Sequence, residues 1–213
     1  MPRAGLDADV VTRCAAAMLD ADGTAAPTGP RKAGGTTGLL ARVAQELGVA
    51  TPSLYKHVGG LDDLMGRVAA AATWDLAGRL GRAVQGRSGR DALESLAEEY
   101  RRFAHDHPAT YPLTQRHRTD EAWTAAAAES LAVVAAALSG YGVTADDVDR
   151  IRFVRATVHG FVDLERRGGF GLPASVDASF AFTIDALDIT LQAGGGGSHG
   201  RSDNGSDGGA RPA

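Results

Sequence analysis

Residues 39–57 read LLARVAQELGVATPSLYKH, and the fold follows from how this stretch can pack. Val43, Leu47, Val49 and Leu54 are spaced to pin two short helices together, and Ala44 is small where the second must approach the first. Gly48 supplies the tolerance of positive φ that a tight turn after the first helix requires. Thr51 is expected to cap the second helix, with Pro52 at its first position, where a missing N–H costs nothing. Helix, three-residue turn and helix in this order make a helix-turn-helix, whose second helix enters the major groove of DNA. Leu54 then points inward and leaves Thr51, Ser53, Tyr55 and Lys56 for a partner.

The chain on either side extends the helical pattern. Asp7 is placed to cap a first helix carrying Val10, Val11, Cys14 and Met18 at helical spacing, with Gly23 as its stop. Residues 24–37, TAAPTGPRKAGGTT, hold two prolines and three glycines without periodicity and read as a flexible insertion. Arg31 and Lys32 within it could reach a phosphate or the minor groove; a solvated loop is the plainer reading. Thr36 or Thr37 is expected to supply the cap that Leu39 cannot. Beyond the motif, Leu61, Leu64, Met65, Val68, Ala72, Leu76, Leu80 and Val84 trace one stripe of a long helix, closed by Gly86 and Gly89. Asp91 opens the next, and Pro108 and Pro112 interrupt the pattern after it. Trp123, Ala127, Leu131, Val134 and Leu138 mark a further helix, ended by Gly140 and Gly142. A helix from Ala145, announced by Thr144 and Asp147, carries Ile151, Val154, Val158 and Phe161 on one face and Phe153, Thr157, Gly160 and Leu164 on another. Ser175 starts a last helix with Phe180, Ile184, Leu187 and Leu191. No run of strands is present in the pattern, so the fold class is all-α. The apolar outward faces of the last two helices call for a four-helix packing between two copies of the chain.

Composition narrows the function. The 213 residues are enough for a sizeable core, and a net charge of −4 excludes a generally basic nucleic-acid coat. Residues 1–72 carry seven basic and seven acidic residues, so DNA contact must come from a few cations on one face, with modest salt dependence. The single cysteine, Cys14, excludes an internal disulfide and fits a reducing cytosol. No signal-peptide pattern opens the chain, and the alanine-rich run at 125–138 is broken by Glu129 and Ser130, so a cytoplasmic protein without a membrane span is expected.

LARVAQELGVATPSLYKHV, followed by LDDLM, resembles the DNA-binding head of the TetR family of bacterial transcriptional regulators, through its Ala–x3–Gly–Val spacing and the Leu-Tyr-x-His after it. Leu39 stands where the family usually has Ser or Thr, and Leu61, followed by Asp62 and Asp63, where it usually has a phosphate-contacting Lys. The segments YRRFAHDHPATYPL and TVHGFVDLERRGGFGLP resemble the effector half of the subgroup named for a Trp-His-Gly motif, with Val158 replacing the Trp and His159 and Gly160 matching. Together the likeness spans about residues 6–191. It implies a three-helix head (1–60) joined by the long helix to an effector-binding and dimerisation domain (61–192), followed by a disordered tail (193–213).

The expected function is a homodimeric repressor released from a near-palindromic double-stranded operator by a small-molecule ligand. Thr51, Ser53 and Lys56 would meet base edges and Tyr55 and His57 phosphates, with Arg42 and Pro52 completing the DNA-binding set. Phe103, Tyr111, His117, Trp123, His159 and Asp163 are the candidate ligand-binding residues, each with an ordinary core or rim role as its alternative. His159 and Asp163 have i,i+4 metal-ligand spacing, but a third ligand is not evident; neither metal nor cofactor is expected. His105 and His107 read as helix-end or solvent-exposed residues. The alternative function is a ligand-binding co-regulator with a degenerate head, favoured by Leu61, Asp62 and Asp63. An enzyme is not expected, since phosphate-loop, zinc-protease and nucleophile-elbow motifs are all missing.

Overall fold

In the computed structural model, which describes residues 5–24 and 38–195, all regular structure is helical. Helix α1 spans Ala8–Thr24, and Asp7 caps it through Oδ1, which accepts the Val10 amide at 2.7 Å. The expected caps at Thr36 or Thr37, residues 25–37 of the insertion with Arg31 and Lys32, and the tail from 196 onward lie outside the described residues.

Helix α2 (Leu39–Glu46) starts after Gly38, with no side-chain cap. Gly48 (φ +67°) turns the chain as its sequence position requires, and the Val49 amide bonds back to Ala44 O at 2.9 Å. Helix α3 (Thr51–Leu54) is capped at Ala50 rather than Thr51, because Ala50 is the extended residue whose carbonyl accepts the Ser53 amide at 2.8 Å. Pro52 consequently sits one place further in, still among the amides that need no intrahelical partner. The α-helix also ends sooner than expected: Tyr55, Lys56 and His57 form a following turn, with the His57 amide bonded to Leu54 O at 2.8 Å.

Helix α4 (Leu61–Val84) is 24 residues, about 36 Å long. Asp63 anchors its start by accepting the Gly59 amide at 2.8 Å while pairing with Arg67. The first part of α4 sends Leu64 and Val68 into a core with Val11, Leu39, Val43 and Leu54. Its second part sends Leu76 and Leu80 into a separate, larger core.

That larger core is built by α5 (Gly89–Asp106), α6 (Tyr111–Thr114), α7 (Glu121–Ala137), a 3₁₀ turn (Ser139–Tyr141), α8 (Val148–Arg166) and α9 (Val176–Gly195). Several boundaries differ from expectation. Asp91 falls inside the first turn of α5, behind Ser88 at the N-cap. Asp120 caps α7 by accepting the Trp123 amide at 3.0 Å. Helix α8 starts at Val148 because residues 144–147 form a turn closed by the Asp147 amide on Thr144 O. Ser175 caps α9 as expected, and α9 continues through Gly195, beyond the expected start of the tail at 193. Gly23, expected to stop α1, lies within it: a side chain there would come 3.1 Å from Ala109 Cβ, so glycine permits α1 to touch the α5–α6 corner. Among the described residues, no helix is long and apolar enough to cross a membrane.

Candidate functional site

The face expected to read DNA is held up by Leu54 and Val58, both buried in the head core. Between them the chain presents Tyr55 (57% exposed) and Lys56, with Thr51, Ser53 and His57 half-buried and Pro52 exposed. None of these side chains has a hydrogen-bond or ion-pair partner among the described residues, which leaves their polar atoms open to phosphates and bases. Arg42 differs: both its terminal nitrogens bond Asp22 of α1, at 2.7 and 3.1 Å, and this pair holds the Asp22 carboxyl below its ordinary range. Asp63 is similarly engaged, so it serves the start of α4.

A polar joint ties this head to the rest. Asp20 of α1 accepts four hydrogen bonds from the α5–α6 corner: His107 Nδ1 (2.9 Å), the amides of Ala109 (2.9 Å) and Thr110 (2.8 Å), and Thr110 Oγ1 (2.7 Å). Arg79 of α4 lies 2.9 Å from His107 Nε2. A guanidinium only donates, so Nε2 accepts and Nδ1–H points to Asp20. His107 is at the C-cap of α5, as the helix-end reading expects, and its ring is not in solvent but bridges α1, α4 and α5.

In the larger core a cavity of about 330 Å³ opens among α4, α5, α7 and α8. Leu76, Leu80, Leu96, Ala97, Val154 and Val158 give it apolar walls. Its polar contributions come from Thr73, Tyr100, Thr114, Gln115, Trp123, Ser130 and the two arginines Arg152 and Arg155. Of the six expected ligand residues only Trp123 lines it. Phe103 is fully buried between His107 and the Arg79 guanidinium. Tyr111 and His159 stand behind Tyr100, with Tyr111 Oη 3.0 Å from Tyr100 Oη and 2.6 Å from His159 Nδ1. Burial pushes the His159 pKa down and, with Tyr111 beside it, pushes that of Tyr100 well up, so this trio is neutral near pH 7. Asp163 pairs with Arg167 at 2.8 Å, and His117 is exposed, packed edge-on against Trp123. Among the described residues no group of three or more His, Cys, Asp or Glu is arranged to hold a metal.

Residues 93–187 match a family described as the tetracyclin repressor-like C-terminal domain. An uncharacterised HTH-type transcriptional regulator of Mycobacterium tuberculosis is 33% identical over 187 residues, covering 85% of this chain and 84% of its own. The chain belongs to the TetR family. A second uncharacterised HTH-type regulator, from Bacillus subtilis, is 25% identical over 86% of this chain and 91% of its own. Solved structures share the fold at lower identity. A protein of unknown function from Rhodococcus sp. RHA1 (21% identical, TM-score 0.67) covers 91% of this chain and 96% of its own. A TetR variant from Acinetobacter baumannii AYE in complex with minocycline (21% identical, TM-score 0.61) covers 89% and 98%.

This TetR-family chain is a DNA-binding transcriptional regulator, and its cavity walls include residues the sequence did not single out. Ser130 was visible only as a break in an alanine-rich run. Its position seven residues after Trp123, hence on the same face of α7, was the available signal. Arg152 and Arg155 flank the apolar stripe of α8 at i+1 from Ile151 and Val154. Pattern alone assigns such arginines to solvent.

Proposed function

We propose that the protein is a homodimeric repressor, released from its operator when a small molecule occupies the cavity. One observation carries this reading: α4 is at once part of the head core, through Leu64 and Val68, and a wall of the cavity, through Thr73, Leu76 and Leu80. A ligand that favours one position of α4 therefore biases the placement of the head, and DNA affinity falls when the favoured position suits the operator less. Phe153 and Leu164 of α8 and Phe182 and Ile189 of α9 remain exposed and form the apolar face for a second copy. Two heads then address two half-sites, with Thr51, Ser53 and Lys56 at base edges, Tyr55 and His57 at phosphates, and Arg42 and Pro52 at the margin.

The test is fluorescence anisotropy on the DNA upstream of the protein's own coding sequence, across a salt series with nonspecific competitor. Binding that survives competitor near physiological salt is expected, and Tyr55→Ala with Lys56→Ala should abolish it while leaving the oligomeric state unchanged. Collapse to the nonspecific level on that fragment and on a randomised pool would instead indicate a ligand-binding co-regulator with a degenerate head.

A further inference from the structure

We propose that the cavity takes an amphipathic organic anion: an apolar body ending in a carboxylate at Arg152 and Arg155, with an oxygen that accepts from Trp123. The inference rests on the cavity being the effector site. It follows from three features of the lining taken together.

The first is charge. Arg152 and Arg155 are the charged residues of the lining, both cationic, and no Asp or Glu joins them. Neither has a carboxylate partner among the described residues; Arg155 reaches only the neutral Gln115 Oε1, at 3.2 Å. Other arginines of this chain are engaged by acids: Arg90 holds Glu94 and Asp185, and Arg101 holds Glu165 and Asp177. A pair of guanidinium groups at the rim of an apolar chamber favours a carboxylate, which it can grip by charge-assisted hydrogen bonds.

The second is unmet hydrogen bonding. Trp123 Nε1 and Ser130 Oγ are buried without a partner, and both belong to residues of the cavity wall. An indole N–H can only donate, so the group that satisfies it must be an acceptor. A serine hydroxyl in a helix commonly back-bonds to the preceding turn, and Ser130 does not. The third feature is length. Trp123 and Ser130 lie two turns apart on α7, roughly 10 Å along its axis, so a chain-like molecule meets both while a compact one meets only one. The remaining walls, Leu76, Leu80, Leu96 and Val158 among them, suit a hydrocarbon body.

The experiment compares decanoate, 1-decanol and decyltrimethylammonium, each below its micellar concentration at pH 7.5, by calorimetry on the full chain. The same titrations are repeated on Arg152→Ala/Arg155→Ala, Trp123→Phe and Ala127→Trp. Decanoate should bind at least about tenfold tighter than decanol and the cation weakest. The double arginine variant, altered only at exposed positions, should erase the preference for the acid while still binding decanol. Trp123→Phe, which removes the indole N–H, should weaken decanoate by about threefold to tenfold. Decanol or the cation binding as tightly as decanoate, or a preference that survives loss of both arginines, overturns the anion assignment and leaves the cavity as a small-molecule site. Decanoate bound equally well by Ala127→Trp, whose indole fills the cavity, overturns the cavity reading itself. Failure of decanoate to bind the unaltered protein also overturns the proposal.

Discussion

The head and the body of this molecule bury their apolar surface to different degrees. In the head, α1 to α3 and the start of α4 close around Val11, Leu39, Val43, Leu54 and Leu64, each 1% exposed or less. Of the ten large hydrophobic residues left exposed among the described residues, only Tyr55 lies there, on the face proposed to address DNA. The body holds the other nine, Phe182 (73%) and Ile189 (68%) among them, and also encloses a chamber whose wall includes two buried polar atoms without partners. The head is therefore closed as a single chain, whereas the body has room left for what the proposed function adds: a ligand inside and a second copy outside.

The largest effect should come from breaking the outer completion. Phe182→Asp with Ile189→Asp should convert the proposed dimer to a monomer in sedimentation velocity, with helical content intact and operator affinity lower by at least about a hundredfold, since two tethered heads gain from each other. A dimer that persists would assign the interface elsewhere. Next, Leu54→Ala in the closed head should cost about 3 kcal/mol in urea unfolding. Leu131→Ala, on the cavity wall and 44% exposed, should cost less than about 1 kcal/mol. Equal costs would erase the contrast between the two regions. Asp20→Ala, which strips four hydrogen bonds from the joint between them, should cost about 2 kcal/mol and reduce the effect of ligand on DNA affinity.

The smallest effect is one of pH within the body. Arg101 holds the Glu165 carboxyl below its ordinary range; burial opposes this and His105 adds to it. Because the folded pKa is the lower one, the carboxylate stabilises the fold fully above the ordinary glutamate pKa, and that contribution disappears as pH falls through the depressed value. The unfolding midpoint should drop as pH falls below about 5, and less so in Glu165→Gln, by a difference on the order of 1 kcal/mol.

Sequence disclosed the helices well because each carries its own periodicity: the stripe from Leu61 to Val84 became α4 at those limits. Starts and stops set by local chemistry were legible too, as at Asp7, Gly48 and Ser175. Caps were less so. Ala50 takes the N-cap of α3 with no side chain to announce it, and Asp120 was hidden among other polar residues before α7. The cavity was the least legible part. Periodicity tells which face of a helix turns inward, not what stands opposite, so Phe103 and Tyr111 read as ligand contacts although neighbours cover them. Arg152 and Arg155 gain meaning only once no acid is found facing them. The joint between Asp20 and His107 spans 87 positions of chain, beyond the reach of any local pattern.

That joint has a consequence for measurement. The amide protons of Ala109 and Thr110 are held by a carboxylate from another helix, and the short helix that begins right after them ends at Thr114 in the cavity wall. Their exchange with deuterated solvent therefore depends on whether the head is seated, not on the fraying of any helix. Two backbone positions thus act as a built-in gauge of head attachment. They can be followed in solution without operator, label or mutation, and should exchange slowly while α1 is docked and faster in any state that parts it from the corner.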